Sequence, residues 1–153
     1  MSRDIRRQKS FMKSKRVIKA EGKLRRILDA NFNRAKEGLR VCEDTCRFFF
    51  DAQGATRRYK DIRHELTAAM AELEILDLIH GRDVGTDVGR KSSKTESKRR
   101  NIHDIFYANS QRVKESIRVL EEFAKILNPR TAERLKILRY RVYDLEQQVV
   151  KYF

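Results

Sequence analysis

Apolar residues recur along this chain at alternating spacings of three and four. Leu28, Phe32, Ala35, Leu39, Cys42, Cys46 and Phe49 form one stripe, and Tyr59, Ile62, Leu66, Ala69, Leu73 and Leu76 form a second. A third runs through Phe106, Val113, Ile117, Leu120, Ala124 and Leu127, interrupted by Ser110, and a fourth through Leu135, Leu138, Val142, Leu145, Val149 and Tyr152. A period near 3.6 puts each set on one helical face, so four amphipathic helices are predicted. Gly54 falls in the first connection and Pro129, after Asn128, in the last. Both connections are short, which makes each pair of helices an antiparallel hairpin.

The two hairpins are copies of one another. Residues 28–49 align with 106–127 at a spacing of 78, with identical pairs at Ala30/Ala108, Asn31/Asn109, Arg34/Arg112, Lys36/Lys114, Glu37/Glu115, Arg40/Arg118, Val41/Val119 and Glu43/Glu121. The segments 59–66 and 135–142 align at a spacing of 76, matching Arg63 with Arg139 and His64 with Tyr140. A helical hairpin used twice predicts an all-α four-helix bundle with pseudo-twofold symmetry. The expected organisation is a basic arm over residues 1–23, then one helical domain over 24–153. That domain comprises a hairpin over 24–80, a loop over 81–100 that holds three of the six glycines, and a hairpin over 101–153.

Composition narrows the class. The 153 residues are 40% hydrophobic and 38% charged with one proline and no tryptophan, which argues against a collagen or a β-sandwich. No apolar run approaches the roughly 18 residues of a membrane span, so no membrane partner is expected. Cys42 and Cys46 cannot build a disulfide framework, and their place on the first stripe makes them core residues. His64, His80 and His103 show no ligand spacing with them, so zinc is not expected. The amino terminus lacks the apolar stretch of a secretory signal, although its basic character also fits an organelle transit peptide; the default compartment is the cytoplasm.

The net charge of +14 is carried by two segments, +9 in residues 1–26 and +5 in residues 90–100, while the rest of the chain is balanced. Such runs read either as solvated, partly disordered chain or as attractors for the phosphates of nucleotides or nucleic acid.

Candidate chemistry lies in the repeat and the loop. The pattern RxxExxRxxE occurs as Arg34, Glu37, Arg40, Glu43 and again as Arg112, Glu115, Arg118, Glu121. A surface ladder of ion pairs is one reading. The other is a polar cleft about the pseudo-twofold axis, because Asn31 and Asn109, indifferent helix formers, each precede their arginine by three residues. Residues 85–92 come close to the phosphate-binding pattern GxxxxGK[ST], but Gly85 and Gly89 are one residue too close, Arg90 intervenes before Lys91, and a helix precedes where a strand is required. A glycine-rich loop embracing a nucleotide without that fold stays open, with Asp83 and Asp87 as magnesium ligands or as turn-stabilising side chains. Arg139, Tyr140, Arg141 and Tyr143 offer cations and rings suited to a heteroaromatic phosphate, or a solvated helix face.

Residues 26–44, 62–66, 81–89, 108–126 and 139–147, in that order and covering about 24–153, resemble the small hydroxymethylpyrimidine phosphate kinase family of thiamine biosynthesis, which also occurs as the amino-terminal domain of thiamine-phosphate synthase fusions. The resemblance implies ATP-dependent phosphorylation of hydroxymethylpyrimidine phosphate to the diphosphate, with ATP and Mg2+ as cofactors. In the loop Asp87, Val88 and Gly89 fit the family pattern, while Arg90 stands where relatives tend to carry Thr. Onto this reading Arg34, Glu37, Arg40, Arg112, Glu115 and Arg118 are assigned to the catalytic set. Asn31, Asn109, Arg82, Gly85, Gly89, Arg139, Arg141 and Tyr143 are assigned to substrate or ATP binding, and Asp83 and Asp87 to the metal. The expected partners are the two small-molecule substrates, with a homo-oligomer left open. A basic helical module that binds nucleic acid or serves as an adaptor is the alternative.

Overall fold

In a computed structural model, which describes residues 3–73 and 98–153 (3–16 and 18 in backbone only), the first apolar stripe belongs to a helix longer than the stripe itself. Helix α1 spans Arg3–Asp44, so the basic arm and the first stripe form one continuous element. The arm's backbone is therefore helical where charge repulsion alone argues for disorder. Lys and Arg are good helix formers, and extending an existing helix avoids the cost of a new nucleus. Leu76 and residues 81–97 lie outside the described residues.

Helix α2 spans Gln53–Ala71, α3 Ile102–Leu127 and α4 Pro129–Val149, and the described residues contain no strand. The all-α bundle is thus observed. Asn128 alone separates α3 from α4, and its Oδ1 accepts from the Arg130 and Thr131 amides at 3.1 and 3.4 Å, with Pro129 in the first turn where its missing N–H costs nothing. The other connection differs from expectation. Gly54 sits inside the first turn of α2, and the left-handed residue of the turn is Asp51, with φ 51°.

Immediately before that turn the chain makes a π-helical segment, Thr45–Phe49. The widened turn rotates the following side chains out of register with the stripe. Phe49 is consequently 60% exposed instead of inward, and Phe50 takes the packed position against Tyr152 and Phe153 at 5.5 and 4.9 Å between centroids. Leu127, the last residue of α3, and Tyr152, in a 3-10 turn (Val150–Tyr152) beyond the end of α4, are also exposed.

Going round the bundle the order is α1, α2, α4, α3, with α1 packing most extensively on α3 and α3 on α4. Leu28, Ala35, Leu39, Cys42, Leu66, Val113, Ile117, Leu120, Val142 and Leu145 are fully buried between them. Helices α1 and α3 run antiparallel and close together: the Cys42 thiol approaches the Phe106 carbonyl at 3.9 Å, one stretch along from where Gly38 meets Asn109 and Val113. A Cβ on Gly38 would stand 2.7 Å from Val113 Cγ2 and 2.9 Å from the Asn109 carbonyl, so this glycine sets how near the two repeat-related helices come.

Candidate functional site

The repeated charge pattern divides into an inner and an outer half. In the inner half, Glu43 is buried and accepts from Arg63 of α2 at 3.1 Å and from Arg40 at 3.4 Å. Its repeat mate Glu121 is buried likewise and accepts from Arg139 of α4 at 2.9 Å and from Arg118 at 2.7 Å. Arg118 also reaches Glu122 at 2.7 Å. Each carboxylate thus joins the two helices of its own hairpin. Arg40 and Arg118, assigned from sequence to the catalytic set, and Arg139, assigned to substrate or ATP binding, make these internal contacts, with the side chains of Arg40 and Arg118 still about half exposed. Burial opposes the charge of Arg139, yet the hydrogen bonds and charge of Glu121, reinforced by Tyr143, outweigh it and leave the guanidinium more basic than usual.

In the outer half, Arg34, Glu37, Arg112 and Glu115 are all exposed, and none forms an ion pair with a described residue. A ladder of i,i+3 pairs would have joined Arg34 to Glu37 and Arg112 to Glu115. The asparagines that precede them bond back to their own helices, Asn31 Nδ2 donating to the Ile27 carbonyl at 2.9 Å and Asn109 Nδ2 to the Ile105 carbonyl at 2.8 Å. Because Gly38 of α1 meets Asn109 and Val113 of antiparallel α3, the two Asn–Arg segments lie on either side of the axis that relates the repeats. Two guanidinium groups unpaired among the described residues, each with a carboxylate one turn away, can hold phosphate oxygens bidentately.

On the outer side of α4, Tyr140 and Tyr143 pack edge to face at 5.8 Å, with the Arg139 guanidinium 5.1 and 5.7 Å from their rings. Arg141 pairs with Glu65 at 2.6 Å, and Arg58 bonds Asp144 at 2.6 Å, which holds that carboxyl below its usual range. Glu133, Lys136, Ile137, Tyr140, Arg141 and Asp144 line an open depression of about 610 Å3 along this helix. It lies on α4, away from the α1–α3 seam that carries Arg34 and Arg112.

One cluster was not singled out from the sequence. Lys114 is buried and its ammonium pairs with Glu146 at 2.6 Å, while the Ser110 hydroxyl donates to the other Glu146 oxygen at 2.8 Å and the Tyr143 ring covers the ammonium at 5.4 Å. Ser110, the interruption in the third stripe, is therefore a satisfied polar contact. The Lys36/Lys114 identity was the available signal.

Arg82, Asp83, Gly85, Asp87 and Gly89 lie outside the described residues. Among the described residues no group of three or more side chains could hold a metal ion, and no helix is long and apolar enough to cross a membrane. Cys42 and Cys46 are buried and free, as the stripe predicts. Burial pushes the Cys46 thiol up to about 12 and the Cys42 thiol further still, with Cys46 and Glu146 adding to the latter, so neither is a nucleophile near neutral pH.

Comparison with known proteins gives this geometry a family. Residues 26–148 match the model of the ThiD2 family. The chain is 42% identical over 122 residues to a thiamine-phosphate synthase of Synechocystis sp., covering 79% of this chain and 34% of that protein. It is 40% identical over 126 residues to the thiamine-phosphate synthase of Thermosynechococcus vestitus, covering 82% and 35%, and 37% identical over 119 residues to that of Rhodopirellula baltica, covering 77% and 32%. The chain thus spans about a third of the length of these relatives. No solved structure matches it. With the matched region taking in both hairpins and every repeated Asn, Arg and Glu, the chain belongs to the ThiD2 family.

Proposed function

We propose that the chain phosphorylates hydroxymethylpyrimidine phosphate with ATP, giving the diphosphate used in thiamine biosynthesis. The reading rests on family membership together with the resemblance to the small pyrimidine phosphate kinases, and on relatives named for thiamine-phosphate synthesis of which this chain covers about a third. The observation that carries it is the pair Arg34 and Arg112, exposed, without an ion pair among the described residues and repeated across the α1–α3 seam.

An oxygen of the substrate phosphate attacks the γ-phosphorus of ATP, a new P–O–P bond forms, and the bond to the β-phosphate oxygen breaks to release ADP. A phosphate monoester is largely doubly ionised at neutral pH, with its second pKa about 6, so no strong general base is needed. Catalysis then falls to positioning and charge neutralisation. Arg34 and Arg112 hold phosphate oxygens, and Glu37 and Glu115, one turn along and unpaired with any described residue, would orient the arginines or the metal once the phosphates are bound. Asp83 and Asp87 of the loop would hold magnesium, which would neutralise phosphate charge, and no step here depends on it.

The test is ADP release by the purified full-length chain with hydroxymethylpyrimidine phosphate, against controls lacking the pyrimidine. Substrate-dependent turnover and formation of the diphosphate are expected. No turnover, combined with arm-dependent retention on duplex DNA, would favour the nucleic-acid-binding alternative.

A further inference from the structure

Lys36 and Lys114 occupy the same position in the two repeats, but their surroundings have diverged. Lys114 is neutralised by Glu146, bonded through it to Ser110, and covered by Tyr143. At the spacings of the repeat, the residues matching Glu146, Ser110 and Tyr143 are Met70, Phe32 and Thr67. The carboxylate and the hydroxyl that bonds it are lost, while an aromatic ring is kept, supplied by Phe32 in place of Tyr143. Met70 and Phe32 are buried apolar side chains, and the Thr67 hydroxyl turns back to the Arg63 carbonyl at 3.0 Å. Lys36 is half-buried, its ammonium 5.2 Å from the Phe32 ring centre, and it forms no ion pair with a described residue.

We propose that Lys36 is an anion-binding residue that takes the phosphate group of a phosphorylated small molecule, while Lys114 is its structurally silenced counterpart. An ammonium on an apolar floor interacts more strongly with an anion than one in open water, because the local dielectric is lower. The partial burial of an unpaired cation is a cost that a ligand phosphate would offset. The neighbouring outer arginine, Arg34, lies two residues earlier on α1, so a ligand bound at Lys36 on the α2 side and one held at the α1–α3 seam would sit on opposite flanks of one helix. In the reaction proposed above, on which the substrate assignment rests, Lys36 would hold a substrate phosphate and Lys114 would hold the fold.

The experiment uses the full-length chain with lysines labelled at Cε, titrated with inorganic pyrophosphate at about 0.15 M salt, where the exposed basic segments are screened. The Lys36 resonance should move saturably while that of Lys114 stays in place. Lys36→Met keeps an apolar stem and should melt like wild type but bind pyrophosphate roughly 10- to 150-fold more weakly, with Lys36→Arg restoring most of the loss. In the turnover assay the same variants should raise the Michaelis constant of one phosphorylated substrate by a similar factor. Equal pyrophosphate titration of wild type and Lys36→Met overturns the proposal, whatever the turnover. A titrating Lys36 in a chain that turns nothing over would leave the anion site standing and remove the kinase reading.

Discussion

Glu121 repeats Glu43 in position, burial and partners: each carboxylate is held by an arginine three residues back on its own helix and by a second arginine from the next helix. The duplicated charge pattern is therefore a latch inside each hairpin first. Its outer half, Arg34, Glu37, Arg112 and Glu115, forms no ion pair with a described residue. Taking a carboxylate out of water is costly, and the two guanidinium groups recover that cost at a fixed geometry, which ties helix register to side-chain chemistry.

Removing one member should expose that cost. Glu121→Leu leaves Arg139, 11% exposed, without its carboxylate. We expect a loss of about 3 kcal/mol in urea unfolding, with an unchanged slope against denaturant. Replacing Arg139 by Met in the same chain should recover a large part of it, because the uncompensated charge is then gone too.

The close approach of α1 and α3 yields a second test. Gly38→Ala puts a methyl 2.9 Å from a backbone carbonyl that cannot rotate away, so the helices must part. The cost should be about 1–3 kcal/mol, offset by up to about 1 kcal/mol from the better helix propensity of Ala. Gly54→Ala meets nothing within 4 Å and should be neutral or slightly stabilising. Thermal melts of the two variants separate packing from propensity.

The bundle was legible because core positions obey a strict helical period, and residues such as Leu39, Leu66, Ile117 and Leu145 are all fully buried as that period demands. The period says nothing about an extra residue in a turn, so the π segment at Thr45–Phe49 moved Phe49 outward unannounced. The identities of Arg63 and Arg139 were visible as a match. Their pairing with Glu43 and Glu121 was not, since it depends on how two helices cross. The divergence around Lys36 and Lys114 was hidden for the same reason: the discriminating residues, Met70 and Glu146, lie on the other helix of each hairpin.

Alkaline pH should weaken the fold. Burial raises the thiol of Cys46 from its ordinary 9.0 to about 12, and raises Cys42 and the Tyr59 hydroxyl beyond their ordinary values as well. Below pH 9 the thiols are protonated in folded and unfolded chains alike. Above it the unfolded chain releases protons that the folded chain keeps, so the folded state binds more protons and stability falls as pH rises. Melting temperature should be nearly level from pH 7 to 8.5 and decline from pH 9 towards 12, with a shallower decline in Cys46→Ala. An undiminished slope in that variant would remove Cys46 from the effect.

The exposed arginines test the catalytic reading most directly, because they are repeat-related but serve unlike ligands if two different phosphates are bound. Arg34 and Arg112 contribute no ion pair among the described residues, so neither should matter much to folding, and Arg34→Ala and Arg112→Ala should melt within about 0.5 kcal/mol of wild type. Losing a charge-assisted phosphate contact costs about 1.5–3 kcal/mol, or roughly 10- to 150-fold in the relevant constant. With each substrate varied in turn, one variant should raise the Michaelis constant for ATP and the other that for the pyrimidine phosphate, since a residue near one ligand gains nothing from the other. Exchange by Lys should restore part of the loss, keeping the charge but not the bidentate fork. Two variants that both keep wild-type kinetics would move phosphate recognition off the α1–α3 seam and onto the loop or the Lys36 side of α1.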